Sequence, residues 1–299
     1  MDIVVVGHLS RDLLVTPKTT REALGGGTAY AMLAPSLGIS KCGIVSCVGN
    51  DFDEEYMRAL AKSGLDMTGI NQDGPHTTRF INQYDSTGAR TQRVEAIAAP
   101  IKRNALLEHH LQSRVIHFCP LIGEIGISCI KAAKEAGALI SLDPQGFLRT
   151  VQGDRVVPKE WTDRAAVLEH VDVLKLDEAE LKSAVGTTTE IVAVSKLLSE
   201  GPEIVIVTRD RRGSTIYTQE SRIDIPLVLA DQLVDTTGSG DTYAIGFLVE
   251  YTRNENLRQA GVFGASCASF NLETMGPYDM PTRKQVESRA MEFLQISSD

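Results

Sequence analysis

The 299-residue chain is 42% hydrophobic and carries a formal net charge of −9, with 30 Lys and Arg against 39 Asp and Glu. The apolar content suffices for one large α/β domain or two modest ones, and the acidic balance opposes sequence-independent attraction to nucleic acid. The five cysteines, at 42, 47, 119, 129 and 267, have neither metal-ligand spacing nor the density of a disulfide scaffold; no apolar stretch reaches the roughly 18 residues of a membrane span, and Met1-Asp2 lacks a basic signal region.

A cytoplasmic protein with reduced thiols is therefore expected, with neither a nucleic-acid nor a membrane partner. Ile3-Val4-Val5-Val6 before Gly7 is wholly apolar and β-branched, which predicts a buried parallel strand delivering His8, Ser10 and Asp12 to the loop beyond it. His8 is expected to make core or loop hydrogen bonds. Gly25-Gly26-Gly27 permits strained dihedrals or close ligand approach, and the segment after it reads as helix as far as Pro35. Residues 41–49 predict another buried strand, and 51–64 a helix with an acidic start and a terminal glycine.

Between 77 and 99 the pattern changes to two strand-like stretches around Asp85-Ser86-Thr87-Gly88, a hairpin suited to covering a site. His109 and His110 are adjacent in a polar helix-like region, so their side chains are expected to diverge and hold no metal. Strand and helix alternate again at 115–118, 126–137 and 139–142, placing Asp143 at a strand end. Trp161 reads as an anchor. Residues 171–176, 177–186 and 203–208 predict strand, helix and strand, followed by a turn at Arg212-Gly213 and a helical C-terminal third. The small residues of 261–270 suit a close-packed helix.

The chemistry concentrates in residues 233–247. Gly238 and Gly240 free the backbone to present N–H donors, and the apolar spacing after Thr242 is helical, so an anion can rest on a helix start. A carboxylate in an anion-binding loop is costly unless it takes a proton or meets a cation, which singles out Asp241. The plainer alternative, that Asp241 caps the helix, is left open by spacing alone. The segment is not a Walker A loop, because no Lys-Ser or Lys-Thr stands in place, and Tyr243 occupies the third glycine position of a dinucleotide motif.

The run DTTGSGDTYAIGF, 235–247, resembles the second signature of the ribokinase-like, or PfkB, carbohydrate kinase family. The resemblance spans essentially the whole chain: GHLSRDLL at 7–14, LGGGTAYAMLAPSLG at 24–38 and VGNDFDEEYMRALAKSGLD at 48–66 resemble the family's sugar-contacting loop, substrate wall and first signature. It implies an α/β fold, a three-layer ribokinase-like sandwich with a central, mostly parallel sheet. One kinase domain would span 1–299, with a small β-rich lid formed by about 11–24 and 77–99.

The resemblance assigns Asp241 to deprotonating the acceptor hydroxyl, with Gly238, Ser239 and Gly240 supporting the transferred phosphoryl group. It implies substrate contacts from Asp12, Gly26, Gly27, Arg79, Asn82, Gln92, Asp143 and Gln145. VTRDRRG at 207–213 resembles the nucleotide-binding strand and turn, with Asp210 in place of the usual glycine. Thr208, Arg209 and Gly213 would there meet ATP, together with Gly238, Gly240 and Ser269. Asp177-Glu178-Ala179-Glu180 stands where the family has NxxE, so Glu180 is expected to organise Mg2+ through water. Asp177 belongs to the nucleotide side but lacks the amide donors of asparagine.

The stretches TTRFINQYDSTGARTQR and DPQG, with Arg149 after it, resemble the inositol kinase branch. The expectation is an ATP-dependent kinase of a small cyclitol or sugar, with myo-inositol leading. An aromatic content of 5%, without a clustered platform, tilts against a nucleoside acceptor. A nucleoside kinase and a nonenzymatic kinase-like regulator are the alternatives. The open edges of the lid suggest a homodimer.

Overall fold

The side chains of Ile3–Val6 (β1) alternate between two hydrophobic layers, Ile3 and Val5 joining one buried cluster and Val4 and Val6 the other. The computed structural model, which describes residues 1–17, 19–85, 90–186 and 189–294 and Arg90 by its backbone alone, is built around that strand. Beyond it, Ser10–Val15 (β2) and Thr20–Gly25 (β3) form a hairpin outside the main sheet. A 3-10 stretch, Gly27–Met32, runs into Leu33–Ser36 (α1). The helical run ends at Ser36, one residue past the expected stop at Pro35, which sits within the single turn of α1, where an N–H has no obligatory helical partner.

Cys42–Val48 (β4), Glu54–Lys62 (α2) and Asp66–Gln72 (β5) follow, then Arg79–Tyr84 (β6) and Arg90–Ala96 (β7). The latter two pair antiparallel as the expected hairpin, though Ser86, Thr87 and Gly88 of its turn lie outside the described residues. Glu108–Leu111 (α3), Val115–Phe118 (β8), Ile127–Glu135 (α4) and Leu139–Leu142 (β9) lead to Arg149–Gln152 (β10) and Arg155–Pro158 (β11). Arg164–Leu168 (α5), Val173–Asp177 (β12), Glu178–Val185 (α6), Glu190–Ser199 (α7) and Ile204–Arg209 (β13) resume the alternation. Gly213–Tyr217 (β14), Arg222–Ile225 (β15), Ser239–Asn254 (α8), Leu257–Asn271 (α9) and Arg283–Leu294 (α10) complete it.

The main sheet has the order β15-β14-β13-β12-β9-β8-β1-β4-β5 and is parallel except where β13, β14 and β15 pair at one edge. One face packs on α1, α2, α8, α9 and α10, the other on α4 to α7, which makes three layers. Gly246 stands against Cys267 Sγ and Gly264 against the Tyr243 carbonyl, so the small residues of 261–270 serve the α8–α9 contact. Trp161 is buried and stacks on Phe147 at 5.3 Å. All five cysteines are free and buried. No helix among the described residues is long and apolar enough to cross a membrane.

A second, six-stranded sheet has the order β10-β11-β7-β6-β2-β3. It contains the expected 11–24 and 77–99 segments and also β10 and β11, which the sequence reading passed over; Gly153, at φ 65°, turns that additional hairpin. Each hairpin leaves the main sheet beyond the carboxyl end of a strand. His8, fully buried, clasps both legs of the β6–β7 hairpin: Nδ1 accepts from Thr78 Oγ1 at 2.8 Å and Nε2 donates to the Ala99 carbonyl at 3.0 Å. The Thr78 hydroxyl in turn accepts from Ala98 N at 3.0 Å, a chain that fixes the imidazole tautomer.

Candidate active site

Parallel strands bring their carboxyl ends to one edge, and that edge collects Cys119 after β8, Asp143 after β9, Asp177 on β12 and Thr208 on β13. The start of α8 completes it. Gly238 is the N-cap of α8 at φ 78°, a left-handed conformation that glycine takes without penalty. Asp241 lies three positions inside the helix, so it is not the N-cap that the plainer reading offered. Its carboxylate rests against Gly27, where a β-carbon would overlap Oδ1. The missing side chain at Gly27 thus makes room for the acid.

Burial, and then the negative charge of Asp143, push Asp241 up to about 6, against the opposing pull of Lys175 and Arg149. A carboxyl so tuned is ionised at neutral pH but retains a high proton affinity, as a general base requires. Asp143 is buried and accepts from Lys175 Nζ at 2.7 Å and from Gln145 N at 3.2 Å. Burial raises its proton affinity, but Lys175 more than offsets this and keeps Asp143 ionised. The sequence reading missed Lys175. Its signal was a charged residue inside the apolar run Val173-Leu174-Lys175-Leu176.

Across the second sheet runs a row of directed hydrogen bonds. Arg149 Nη1 donates to Gln92 Oε1 at 3.2 Å, Gln92 Nε2 to Asn82 Oδ1 at 2.9 Å, and Asn82 Nδ2 to Asp12 Oδ2 at 3.3 Å. Asp12, Asn82 and Gln92 were expected together, and four strands assemble them with Arg149. Arg79 does not join: three positions from Asn82 on β6, it faces the opposite side, where Glu22 and Glu95 each hold its guanidinium at 2.7 Å. The sheet reaches the α8 loop through Tyr84 Oη, 3.5 Å from Thr237 Oγ1, and Arg21, 3.9 Å from Asp235.

Where the sequence suggests nucleotide contacts, Asp177 is register partner to Thr208, and Thr208 to Ser214. Ser214 Oγ and Tyr243 Oη, 2.8 Å apart, tie that strand pair to α8. Asp210 lies in a 3-10 turn, Asp210–Arg212, and positive φ falls on Gly213, so the loss of glycine at 210 leaves the turn unstrained. The Arg209 guanidinium is held by Glu190 and by Thr215 Oγ1 at 2.9 Å. It lines a cavity of about 780 Å³ along β13 to β15 that contains none of Asp12, Asp143 or Asp241. Ser269 is buried, donating to the Ser266 carbonyl and accepting from Arg289, each at 2.8 Å.

Asp177 caps α6 in a reciprocal box, accepting from Glu180 N at 2.8 Å while Glu180 Oε2 accepts from Asp177 N at 2.9 Å. Burial and the neighbouring Asp143 push Glu180 up to about 8; Lys175 opposes this and Asp177 adds to it. The protein leaves negative charge around Glu180 undercompensated.

His109 and His110 do not diverge as expected. In the short α3 their rings approach to 4.1 Å, and with Asp66 their ligand atoms lie within 4.8 Å of one another. His110 Nδ1 accepts from Leu107 N, however, which leaves the proton on Nε2 and no lone pair there for a metal.

The profile of the pfkB family carbohydrate kinases matches residues 1–284. The chain is 26% identical over 284 residues to a cytidine kinase of Thermococcus kodakarensis, covering 94% of this chain and 99% of that protein. It is 26% identical over 312 residues to a nucleoside kinase of Methanocaldococcus jannaschii, with 96% of each covered. A pyrophosphate-dependent kinase of the ribokinase family, solved with a pyrophosphate analogue and myo-inositol, superposes with a TM-score of 0.81 at 23% identity, over 96% of this chain and 99% of that one. Arabidopsis thaliana ribokinase with ribose and ATP gives a TM-score of 0.78 at 23% identity, over 97% and 98%. With the family profile covering nearly the whole chain and the fold matched from end to end, the protein belongs to the pfkB family of carbohydrate kinases and is an enzyme, a carbohydrate or nucleoside kinase.

Proposed function

We propose that the protein transfers the γ-phosphoryl group of ATP to a hydroxyl of a small cyclitol or sugar, with myo-inositol as the leading acceptor. The observation that carries this reading is the placement of Asp241, tuned to about 6, at the start of α8 within electrostatic reach of Arg149, which ends the polar row Asp12, Asn82, Gln92 and Arg149. Asp12 and Asn82 offer acceptors and donors to ring hydroxyls, and Asp143 and Gln145 extend that polar surface. Asp241 takes the hydroxyl proton as the oxygen attacks phosphorus. N–H groups at the start of α8, opened by the Gly238 turn, stabilise the charge on the phosphoryl oxygens.

ATP would lie towards Thr208 and Gly213. Magnesium fits Glu180, whose carboxylate neighbours Asp143 and Asp177 leave negative charge that Lys175 only partly offsets; Glu180 would hold the ion through water, and bound there it would neutralise phosphate charge. The second sheet acts as a lid that orients the acceptor and excludes water. Five buried, free thiols support a cytoplasmic setting.

A nucleoside acceptor is the second reading. It is favoured by the cytidine and nucleoside kinases at 26% identity, and by the apolar cluster of Phe80, Val94 and Leu121, in which Phe80 and Val94 share strands with Asn82 and Gln92. Phosphoryl transfer measured over myo-inositol, ribose, fructose, cytidine and adenosine, with ATP, ADP and pyrophosphate as donors, decides between them. Turnover of nucleosides without cyclitol or sugar turnover would overturn the first reading.

A further inference from the structure

Lys175 stands in β12 between Leu174 and Leu176, both without exposed surface, and is itself buried. An ammonium so placed must find acceptors for three N–H groups or give up its charge. Asp143 Oδ2 accepts one at 2.7 Å, and among the described residues no second protein acceptor stands within hydrogen-bonding distance. The charge is nevertheless kept. Burial opposes it, but Asp143, Glu180 and Asp241 together raise the proton affinity of Lys175 above the ordinary lysine value.

The position of the ammonium is as informative as its charge. Gly240 does not take positive φ, so the backbone there does not demand glycine. A β-carbon on residue 240 would stand 2.7 Å from Lys175 Nζ, the movable end of a long side chain. The ammonium therefore lies against the second residue of α8, one residue before Asp241.

We infer that Lys175 is a catalytic residue whose two unfilled N–H donors bind the phosphoryl group in transfer, forming the cationic half of an anion site whose neutral half is the start of α8. This rests on the reading of Asp241 as the base of an ATP-dependent transfer. In that step the acceptor hydroxyl gives its proton to Asp241 as its oxygen bonds to the γ-phosphorus. The bond from phosphorus to the β–γ bridging oxygen breaks, and its electron pair leaves with ADP. Lys175 keeps its three protons and balances charge on the transferring oxygens. Asp143 holds the ammonium beside the phosphoryl site and prevents a direct pair with Asp241, which would occupy the base.

The test compares Lys175→Met, Asp143→Asn and the double variant with wild type, using ATP and the best acceptor of the panel. Lys175→Met is expected to lower kcat about 10²- to 10³-fold with acceptor KM changed less than about threefold. Wild type should bind ADP with aluminium fluoride more tightly than ADP alone, and Lys175→Met should lose that increment while keeping its affinity for ADP. Lys175→Met leaves Asp143 buried and unpaired and can misfold; the double variant removes both charges and carries the same test. A double variant as active as Asp143→Asn alone, or a folded Lys175→Met with near-wild-type kcat, overturns the inference. Failure of the parent reading looks different: wild type would transfer no phosphoryl group, or Asp241→Asn would be as active as wild type.

Discussion

The ring of Tyr30 fills the space beside Gly238 that a side chain would need, and its hydroxyl donates to the Thr237 carbonyl at 3.1 Å. Asn271 Nδ2 donates to the same carbonyl at 2.8 Å, so two elements from opposite ends of the chain hold the turn before α8. Gly238→Ala meets both a left-handed backbone and a buried ring, and is expected to cost at least about 2 kcal/mol and to lower phosphoryl transfer more than about 100-fold. Gly240→Ala meets only the end of the Lys175 side chain, so its thermal midpoint should stay near wild type while its rate falls. Equal loss of stability in the two variants, read by thermal unfolding, would contradict this account.

Asp241→Asn removes the proton acceptor at nearly constant size. Transfer should fall about 10²- to 10⁴-fold while ATP affinity is largely kept, since the loss belongs to the transition state. Acceptor-dependent rates and ATP titration on the same preparation check it, and near-wild-type turnover by the folded variant would sink the mechanism.

The same residue sets a pH dependence in both rate and stability. With Asp241 raised to about 6, kcat/KM should rise as pH passes upward through about 6, because only the carboxylate accepts a proton. An acid raised in the folded state binds more protons there than in the unfolded chain, so its contribution to stability is lost as pH rises from about 4 to 6. Asp241→Asn should therefore be more stable than wild type by about 1–3 kcal/mol at pH 7.5, with the difference vanishing near pH 4. Thermal unfolding across that range reads it, and a destabilised variant at pH 7.5 would count against the assigned environment.

Asp12→Asn keeps the shape of the residue but removes a carboxylate from the polar row. Acceptor KM is expected to rise about 10- to 100-fold with ATP KM unchanged, the pattern of lost ground-state binding. A matched rise in ATP KM would place Asp12 outside the acceptor site.

His8→Leu cuts the clasp at the base of the β6–β7 hairpin. Loss of two buried hydrogen bonds is expected to cost about 2–4 kcal/mol, and amide exchange should accelerate most within 78–99. Uniform acceleration over the whole chain would show that His8 stabilises the core at large, without a special hold on the hairpin.

The second sheet ends at β3, and among the described residues no further strand pairs with that edge. A homodimer through that edge is expected in sedimentation equilibrium at micromolar concentrations, and a monomer throughout would remove it.

The layered α/β fold was legible in the sequence because β1, β8, β9, β12 and β13 are short apolar runs punctuated by helical spacing, and such runs are stable only when buried on both faces. The hairpin β10–β11 was not, because its alternation is four residues long on each side and both strands are only partly buried. Asp241 stood out because an acid directly after Gly238-Ser239-Gly240 at a helix start has few inexpensive structural roles. Lys175 escaped notice because its meaning depends on Asp143, 32 residues away, and on the absence of a side chain at Gly240.

Local chemistry by itself therefore determined the buried strands of the main sheet named above, where the helix carrying Asp241 begins, and which loops hold polar residues suited to hydroxyls. Tertiary structure alone decided that Asn82 faces Asp12 while Arg79 is bound by Glu22 on the other side, that Arg209 is taken by Glu190, and that Asp143, Lys175 and Asp241 share one electrostatic field. Propensity and spacing act over a few residues, whereas hydrogen-bond partners and proton affinities are set by whatever the packed layers bring within a few ångströms.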